Sequence, residues 1–340
     1  MRQSIGKTFI GKTFIGKAFI AKAFIAIAAL ACGTHALAQD YPTRTITIVV
    51  PAPPAGATDV LARVLADELG KSLKQTVIVD NKPGASGMLG ASAVARAQPD
   101  GYTILLSHSS PISYAQYMFT KVPYDVRRDF AFITELCSAS LVFAVNKDVP
   151  ARNMKEFVAW AQANKGKVNY GSFGVGSSSH LLNAHLSESR KLDMTHVAYK
   201  GEAPMIQDMI AGQIPMSIGT LGTMAPHIAS GSVRPLAIIG DKRLAELPNV
   251  PTMAESGFND EEFKLLGGVV VMAPAKTPPA VLARLEKETR AAVQTVAMKA
   301  RFQAFGLVGI GNSSVEFRKN FDATGPMIER LVQVSGAKVD

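Results

Sequence analysis

Cysteine is almost absent from this sequence, since its 340 residues include only Cys32 and Cys137. The two lie far apart, and neither belongs to the closely spaced Cys and His pairs that typically bind a metal ion. No metal site is therefore predicted, and stability has to come from a hydrophobic core. A chain of about 300 residues can bury roughly three quarters of its extended surface, and this length favours two lobes.

Acidic residues are absent from the first 38 positions, which carry Arg2 and four lysines. These positions also contain a short apolar run, Ala23–Ala31, which is shorter than the roughly 20 residues that span a bilayer. The run precedes Ala36-Leu37-Ala38, a small-residue pattern typical of signal-peptide cleavage. Residues 1–38 are therefore predicted to be a cleavable signal peptide, which places the mature protein in the periplasm.

Two alternatives to this cleavage remain open. The sequence Ala29-Leu-Ala-Cys32 resembles a lipoprotein box, in which Cys32 would be lipidated and would anchor the protein. A retained membrane anchor is the other alternative. After cleavage at Ala38, Cys137 would be the lone thiol and could form no internal disulfide.

The positive charge of the chain is concentrated at its start. The whole sequence has a formal net charge of +9, and five basic residues of the first 38 positions account for more than half of it. The remainder contains no long basic run, so a nucleic-acid partner is not predicted. A mildly positive balance suits an anionic ligand.

Strand-like and helix-like segments alternate after residue 44. Thr45–Val50, Gln75–Val79 and Tyr102–Leu106 are β-branched or apolar runs, separated by segments with helical spacing. This βαβαβ pattern predicts a mostly parallel sheet flanked by helices. Later strand-like runs predict a second sheet. The boundaries expected from this pattern are 39–145 plus 269–340 for a discontinuous first lobe and 146–268 for the second.

The most distinctive segment is Tyr170–His180, which contains three glycines and four serines between a strand-like and a helix-like stretch. Such a loop can present backbone N–H groups and hydroxyls to an anion at a helix N-terminus. No acid, base or nucleophile is evident beside it. The pattern therefore favours binding a small anion over transforming one.

Nine short motifs in the expected order resemble the Bug-type solute receptors of tripartite tricarboxylate transporters. Each motif is weak alone, but together they cover nearly all of residues 41–340. The motifs are Tyr41-Pro42, Pro51–Asp59, Asp80–Gly87, Pro99–Thr103, Val122–Asp125 with Asp129-Phe130, Tyr170–Ser172 through His180-Leu181, His196–Gly201, Asp208 with Ala211–Gln213, and Leu247–Thr252 with Glu255–Gly257.

The resemblance implies a two-lobed periplasmic binding protein fold, similar to type II, that closes on a small carboxylate without catalysis or a cofactor. The implied ligands are di- or tricarboxylates, acidic amino acids or aromatic acids, and the implied partners are the membrane permease subunits of the transporter. A monomer is expected. One departure concerns the first loop, where the family usually has paired glycines and this chain has Gly56-Ala57.

The candidate ligand-binding residues follow predicted strands or precede predicted helices. They are Ala55, Gly56, Ala57, Thr58, Ser86, Gly87, Ser107, Ser109, Ser172, Gly174, Ser177, Ser178 and His180. An ordinary turn capped by Asp59 is the alternative for the first loop, and a glycine-rich turn is the alternative for the second. Asp59 is expected to orient its loop, and a neutral His180 is expected to brace its own.

Two other functions compete with a transport receptor. The same fold could sense its ligand for a signalling partner, and the sequence does not separate the two. A serine hydrolase that uses one of Ser172–Ser179 with a histidine is disfavoured, because no G-x-S-x-G elbow and no distinct Ser–His–Asp set occur.

Overall fold

The computed structural model describes residues 41–338, so the signal peptide predicted at residues 1–38 lies outside the described residues. The chain from Arg44 onward forms one compact unit, and Tyr41–Thr43 belong to a separate N-terminal unit. Within residues 41–338, no helix combines the length and the apolar composition that crossing a bilayer requires.

The strands of the described chain are β1 (Ile46–Val50), β2 (Val77–Asn81), β3 (Thr103–His108), β4 (Phe130–Ala139), β5 (Leu141–Asn146), β6 (Asn169–Ser172), β7 (Thr195–Ala198), β8 (Met216–Thr220), β9 (Val233–Ile239), β10 (Gly268–Pro274) and β11 (Leu307–Gly309).

The helices are α1 (Ala57–Leu73), α2 (Met88–Ala95), α3 (Ala115–Met118), α4 (Val126–Asp129), α5 (Met154–Ala163), α6 (Ser178–Ser189), α7 (Glu202–Ile210), α8 (Leu221–Ala229), α9 (Pro279–Val293), α10 (Val296–Ala304) and α11 (Ser314–Ser335). Three short helical turns, at Ala85–Gly87, Ser110–Tyr114 and Glu261–Lys264, complete the set.

The first sheet has the order β11-β4-β10-β3-β1-β2. Strand β1 lies between β2 and β3 and is parallel to both, whereas β10 is antiparallel to β3 and to β4. Ile46, Ile48, Val49 and Val50 of β1 are all buried. This continuous apolar run is typical of a parallel strand that is covered by helices on both faces.

The second sheet has the order β7-β6-β8-β5-β9. Strand β5 runs antiparallel to both of its neighbours, β8 and β9, and all six of its residues are buried. Strands β6, β7 and β8 are mutually parallel. The two-lobed α/β architecture predicted from the sequence is therefore confirmed. The sheets are mixed and not mostly parallel as predicted, because β5, β10 and β11 run against their neighbours.

The chain passes from the first sheet to the second at Ser140, between β4 and β5, and returns between Ile239 and Gly268. The domain boundaries predicted near residues 145 and 268 lie close to these crossings and remain a proposal. Helix α11 adds a third link. Its Phe317 and Phe321 pack against Phe132 of the first sheet, whereas Leu331 and its neighbours pack in the core of the second sheet.

The apolar spacing of residues 279 to about 300 predicts one long helix from Pro279 to about Ala300, and this prediction is wrong. The structure has two helices, α9 and α10, because the Thr295 hydroxyl accepts a hydrogen bond from the Met298 N–H and so caps a new helix. The apolar spacing of a helix continues across Thr295, and the sequence analysis did not recognise Thr295 as the start of a second helix.

Three parallel strands in each sheet lead into the loops that matter for function. In the first sheet these are β1, β2 and β3, and in the second they are β6, β7 and β8. Loops at the carboxyl ends of parallel strands meet at one edge of a sheet, where open α/β folds bind ligands.

Candidate ligand-binding cleft

A cavity of about 890 Å³ lies between the loops of the two sheets. The first wall, formed by loops of the first sheet, includes Pro51–Pro53, Ala57, Thr58, Ser86, Gly87 and His108–Ser110. The second wall, formed by loops of the second sheet, includes Phe173–Val175, Ser177, Ser178, Gly201, Glu202 and Thr220. The structure therefore brings together eight of the thirteen predicted residues: Ala57, Thr58, Ser86, Gly87, Ser109, Gly174, Ser177 and Ser178.

The other five predicted residues do not line this cavity. Ala55 and Gly56 lie in the turn before α1, and Ser107, Ser172 and His180 are buried behind the loops. Their hydrogen bonds join parts of the protein to one another. The sequence placed these residues in the correct loops. Residue type and position did not distinguish side chains that face the cavity from side chains that support the loop.

The first loop is held from behind by Asp59, whose side chain is only 3% exposed. Its carboxylate accepts hydrogen bonds from the Ala55 N–H (2.9 Å), the Asn81 side chain (2.9 Å) and Arg63 Nε (3.0 Å). Burial alone would raise the pKa of Asp59, but the hydrogen bonds from Arg63, Ala55 and Asn81 outweigh it and lower that pKa. The predicted orienting role of Asp59 is confirmed.

Helix α1 points its N-terminus at the cavity. Its first hydrogen bond runs from the Val60 N–H to the Gly56 carbonyl, so the N–H groups of Ala57 and Thr58 have no acceptor within the helix. The positive φ of this turn belongs to Ala55, at 68°, and not to Gly56 or Ala57. The departure from paired glycines therefore adds no backbone strain to the helix start.

The second loop needs an unusual backbone. Residues 84–87 all have positive φ, with Ser86 at 53° and Gly87 at 90°. A Cβ at Gly87 would lie 3.0 Å from Pro111 Cγ and 3.2 Å from the Pro51 carbonyl oxygen. Gly87 thus lets the loop fit against its neighbours. The Ser86 hydroxyl has no hydrogen-bond partner among residues 41–338.

In the loop after β3, the serine hydroxyls already form hydrogen bonds within the protein. Ser107 donates to the His108 carbonyl (2.8 Å), and Ser109 donates to the Gly268 carbonyl (3.1 Å) while accepting from the Gly268 N–H (2.8 Å). A hydroxyl has a single proton to donate, so neither serine can donate to a bound carboxylate in this arrangement.

Two buried polar atoms near this loop have no partner in the described chain: His108 Nδ1 and the Tyr114 hydroxyl. Burial lowers the pKa of His108, which keeps its ring neutral, and raises the pKa of Tyr114 to about 12, which keeps its proton. Both residues line the cavity. Buried polar groups are normally hydrogen-bonded, so these two are candidates to contact a ligand. The sequence analysis did not select Tyr114.

On the second wall most serine hydroxyls are used by the protein itself. Ser177 caps α6, accepting from the His180 N–H and donating to the Gly174 carbonyl (2.7 Å). The Ser172 hydroxyl lies 2.6 Å from His196 Nε2 and 3.1 Å from the Gly174 carbonyl. Ser178 alone of these three has a hydroxyl with no hydrogen-bond partner within residues 41–338.

A stacked histidine pair supports this loop from behind. The rings of His180 and His196 are nearly parallel with centroids 3.7 Å apart, and His180 Nδ1 accepts a hydrogen bond from the Gly176 N–H (3.1 Å). Burial, with a smaller contribution from His196, lowers the pKa of His180 to about 4. Burial also lowers the pKa of His196. His180 therefore braces the loop through Gly176, and its lowered pKa favours the neutral ring.

Glu202 is the residue of the second wall that the sequence analysis missed. It begins α7, and its carboxylate accepts hydrogen bonds from the Thr220 N–H and from the Thr220 and Thr223 hydroxyls. Its position after the carboxyl end of β7 was a signal that could have found it. Lys200, two residues earlier, is exposed and does not line the cavity.

Apolar side chains form most of the cavity surface, and polar groups form the smaller part. The sequence analysis predicted a cleft of amides and hydroxyls and did not predict this apolar lining. The apolar residues include Pro51, Pro53, Leu61, Leu141, Phe173, Val175, Val269 and Leu307. No lysine or arginine belongs to the lining formed by the described residues. Any anion bound here would therefore be held by neutral dipoles.

A cleft between two α/β lobes, lined by strand-to-helix loops and helix N-termini, is the architecture of a solute-binding protein. Residues 61–333 match the family model described as the tripartite tricarboxylate transporter family receptor, and the chain belongs to this TctC family. The family and fold are those of solute-binding receptors and not of enzymes, as the sequence predicted.

Relatives with known names or structures are consistent with this assignment. The protein BugT of Bordetella pertussis is 36% identical over 270 residues, which cover 79% of this chain and 82% of BugT. The structure of Rpa4515 of R. palustris with adipate is 28% identical, with a TM-score of 0.74, and covers 87% of this chain and 98% of that one. MatC of Rhodopseudomonas palustris with bound malate is 27% identical, with a TM-score of 0.70, and covers 86% of this chain and 100% of that one.

Proposed function

We propose that this protein is a periplasmic receptor that captures a small carboxylate between its two lobes and delivers it to the permease of a tripartite tricarboxylate transporter. The observation that carries the proposal is the cavity of about 890 Å³ that faces the α1 N-terminus and free hydroxyls from both walls. The carboxylates bound by two structural relatives, adipate and malate, support the same ligand class.

The ligand carboxylate would bind at the first wall. The open N–H groups of Ala57 and Thr58 point along the positive end of the α1 dipole, and the hydroxyls of Thr58 and Ser86 are free to donate. Ser178 and Tyr114 supply further donors. A hydrogen bond to a charged group contributes about 1.5–3 kcal/mol, so five or six such donors reach the ~8 kcal/mol of micromolar affinity after association costs.

Closure would follow from contact with both walls. A ligand that touches Thr58 on one wall and Ser178 on the other stabilises a closed form over an open one, and this difference in affinity drives the hinge. The crossing at Ser140 and the return segment between Ile239 and Gly268 would bend. Helix α11, which packs on both sheets, would limit how far the lobes separate.

The first test is a binding experiment on processed protein recovered from cells that express the full chain. Its unfolding temperature should rise with one or a few members of a panel of mono-, di- and tricarboxylates, and calorimetry should give the affinity. Ser86→Ala should weaken binding about tenfold, because one donor to a charged group is lost. The exposed Ser230→Ala serves as the matched control and should leave binding unchanged. A flat response across the panel would refute the proposal, and turnover of any bound acid would indicate an enzyme.

Delivery and location need separate tests. Deletion of the gene should abolish uptake of the identified acid, and loss of a transcriptional response with normal uptake would favour the sensor instead. N-terminal sequencing of the processed protein should begin at Gln39. A lipidated Cys32 at the N-terminus would replace free periplasmic location with membrane anchoring. Mass measurement by light scattering should give a monomer.

A further inference from the structure

Glu202 gives the second wall of the cleft a negative charge. It is the only carboxylate among the cavity-lining residues, and no lysine or arginine of the described chain lines the cavity with it. Its side chain is half-buried, and no ion pair within residues 41–338 involves it. A proposed carboxylate receptor therefore has an uncompensated carboxylate of its own facing the ligand space.

The hydrogen bonds of Glu202 leave one acceptor position open. Oε1 accepts from the Thr220 N–H at 2.8 Å, while Oε2 accepts from the Thr220 and Thr223 hydroxyls at 2.7 Å each. An ionised carboxylate has about four lone-pair positions, two on each oxygen. The three donors fix the carboxylate in place, and Oε1 keeps a lone pair for a ligand donor.

Closure of the cleft makes this charge decisive. A carboxylate that loses water on closure is destabilised unless a cation or further donors replace the solvent. A second carboxylate brought near Glu202 by the ligand would add repulsion in a region of reduced dielectric. A protonated amine at the same place would instead form a charge-assisted hydrogen bond.

We infer that Glu202 is a specificity-determining residue that selects ligands carrying a protonated amine as well as a carboxylate, and that disfavours di- and tricarboxylates. The inference rests on the proposed function, because it assumes that a ligand carboxylate binds at the α1 N-terminus on the first wall. The amine of the same ligand then lies against Glu202, so that the ligand spans the two walls with opposite charges at its two ends.

A purely structural role for Glu202 makes a different prediction. Its bonds to Thr220 and Thr223 cap the start of α8, and in that case its substitution would lower stability without changing which ligands bind. The two roles are therefore separated by ligand preference and not by the unfolding temperature.

The experiment compares ligands that share a carbon skeleton and differ only in the group at one end. Suitable sets are adipate, 5-aminopentanoate and pentanoate; succinate and 3-aminopropanoate; and terephthalate and 4-(aminomethyl)benzoate. In the unmodified protein at neutral pH, the amine member of at least one set should bind at least tenfold more tightly than its dicarboxylate partner. Equal or tighter binding of the dicarboxylates in every set that binds would overturn the assignment of Glu202 while leaving the receptor function standing.

Glu202→Gln keeps the size and an acceptor oxygen but removes the charge, so it should lower the preference for the amine at least tenfold and strengthen dicarboxylate binding. Glu246→Gln, an exposed position of the same lobe with no side-chain hydrogen bond within residues 41–338, is the matched control and should keep the original preference. An unchanged preference in a folded Glu202→Gln protein would overturn the assignment. Should that variant fail to fold, the comparison of ligand sets in the unmodified protein decides alone. Failure of all ligands, monocarboxylates included, would refute the proposed function itself.

Discussion

The two walls of the cleft each contain a carboxylate near a helix start, but on opposite sides of the loop. On the first wall Asp59 lies behind the loop, where it ties the turn and leaves amides and hydroxyls free toward the cavity. On the second wall Glu202 faces the cavity, and most serine hydroxyls are used behind the loop. Similar strand-to-helix loops therefore differ in the charge they accept.

The comparison shows that a glycine- and serine-rich loop is not by itself an anion site. The first wall can hold an anion because the α1 amides of Ala57 and Thr58 and the hydroxyls of Thr58 and Ser86 have no acceptor within residues 41–338. On the second wall, the Ser178 hydroxyl and one lone pair of Glu202 have no partner within residues 41–338, and the charge of Glu202 opposes an anion. A ligand suited to both walls is asymmetric, and each wall can be disturbed separately.

The largest effect is expected from Gly87→Ser on the first wall. The residue would have a Cβ at φ 90°, which costs about 1–2 kcal/mol, and contacts of 3.0–3.3 Å with Pro111, Pro51 and His108 would add about as much again. We expect the free energy of unfolding to fall by about 3 kcal/mol in urea titration and carboxylate binding to be lost.

Gly56→Ser, in the turn before α1 next to this wall, is the matched control. Gly56 has an extended backbone with φ −76°, and the nearest atom to an added Cβ is 3.8 Å away. A serine at this N-cap position should leave the free energy of unfolding within about 0.5 kcal/mol or raise it slightly. Equal losses of unfolding free energy in the two variants would show that the positive-φ backbone at Gly87 is not the cause of the destabilisation.

Acidification should destabilise the fold in part through His180, behind the second wall. The pKa of His180 is lowered to about 4 in the fold, so the unfolded chain binds the extra proton first as pH falls below 6.5. The stability contributed by neutral His180 is complete above pH 6.5 and is lost between pH 6.5 and about 4. The fall of the His180 pKa from 6.5 to about 4 corresponds to about 3 kcal/mol of unfolding free energy.

His180→Asn isolates this contribution. An Asn side-chain oxygen can accept the Gly176 N–H bond but does not titrate, so the free energy of unfolding should vary less between pH 6.5 and 4 than in the unmodified protein. The variation that remains belongs to His108 and His196, whose pKa values are also lowered by burial. His227→Asn, at a position that does not line the cleft, should keep the original pH dependence. Identical pH profiles for the two variants would remove His180 as the cause.

On the first wall the corresponding change is Asp59→Asn. The substitution replaces the carboxylate that accepts hydrogen bonds from Ala55 and Arg63 with a neutral amide. We expect the free energy of unfolding to fall by about 2 kcal/mol and ligand binding to weaken. Because the pKa of Asp59 is lowered, its contribution is present above pH 3.8 and is lost as pH falls further. Asp67→Asn, an exposed position of the same helix, should change neither quantity; an equal loss there would show a general charge effect.

Local sequence patterns predicted the helices and strands whose formation depends mainly on their own residues. The βαβαβ segment could be predicted because β1 to β3 are apolar runs separated by helical spacing. Strands β4 and β11 could not, because their place depends on pairing with distant partners: Leu307 lies opposite Ala139, and Gly268 opposite Ser138. Helix α8 contains Pro226 and was not predicted for that reason.

The site was predicted at the level of loops and not of atoms. A serine in a glycine-rich loop is the same letter whether its hydroxyl is free, as in Ser178, or bonded to a carbonyl of its own loop, as in Ser177. Glu202 was missed because its partners Thr220 and Thr223 are 18 and 21 residues away in sequence. Such long-range contacts decide which groups remain for a ligand.

The smallest effects should come from two neighbouring serines of the second wall, and they test the distinction directly. Ser177→Ala removes the cap of α6 and should lower the free energy of unfolding by about 1 kcal/mol, with little change in the affinity per folded molecule. Ser178→Ala removes a free hydroxyl and should leave unfolding unchanged while weakening ligand binding about tenfold. Urea titration and calorimetry on both variants give the two quantities. If Ser177→Ala weakened binding and Ser178→Ala did not, the hydroxyl facing the ligand would be assigned to the wrong serine.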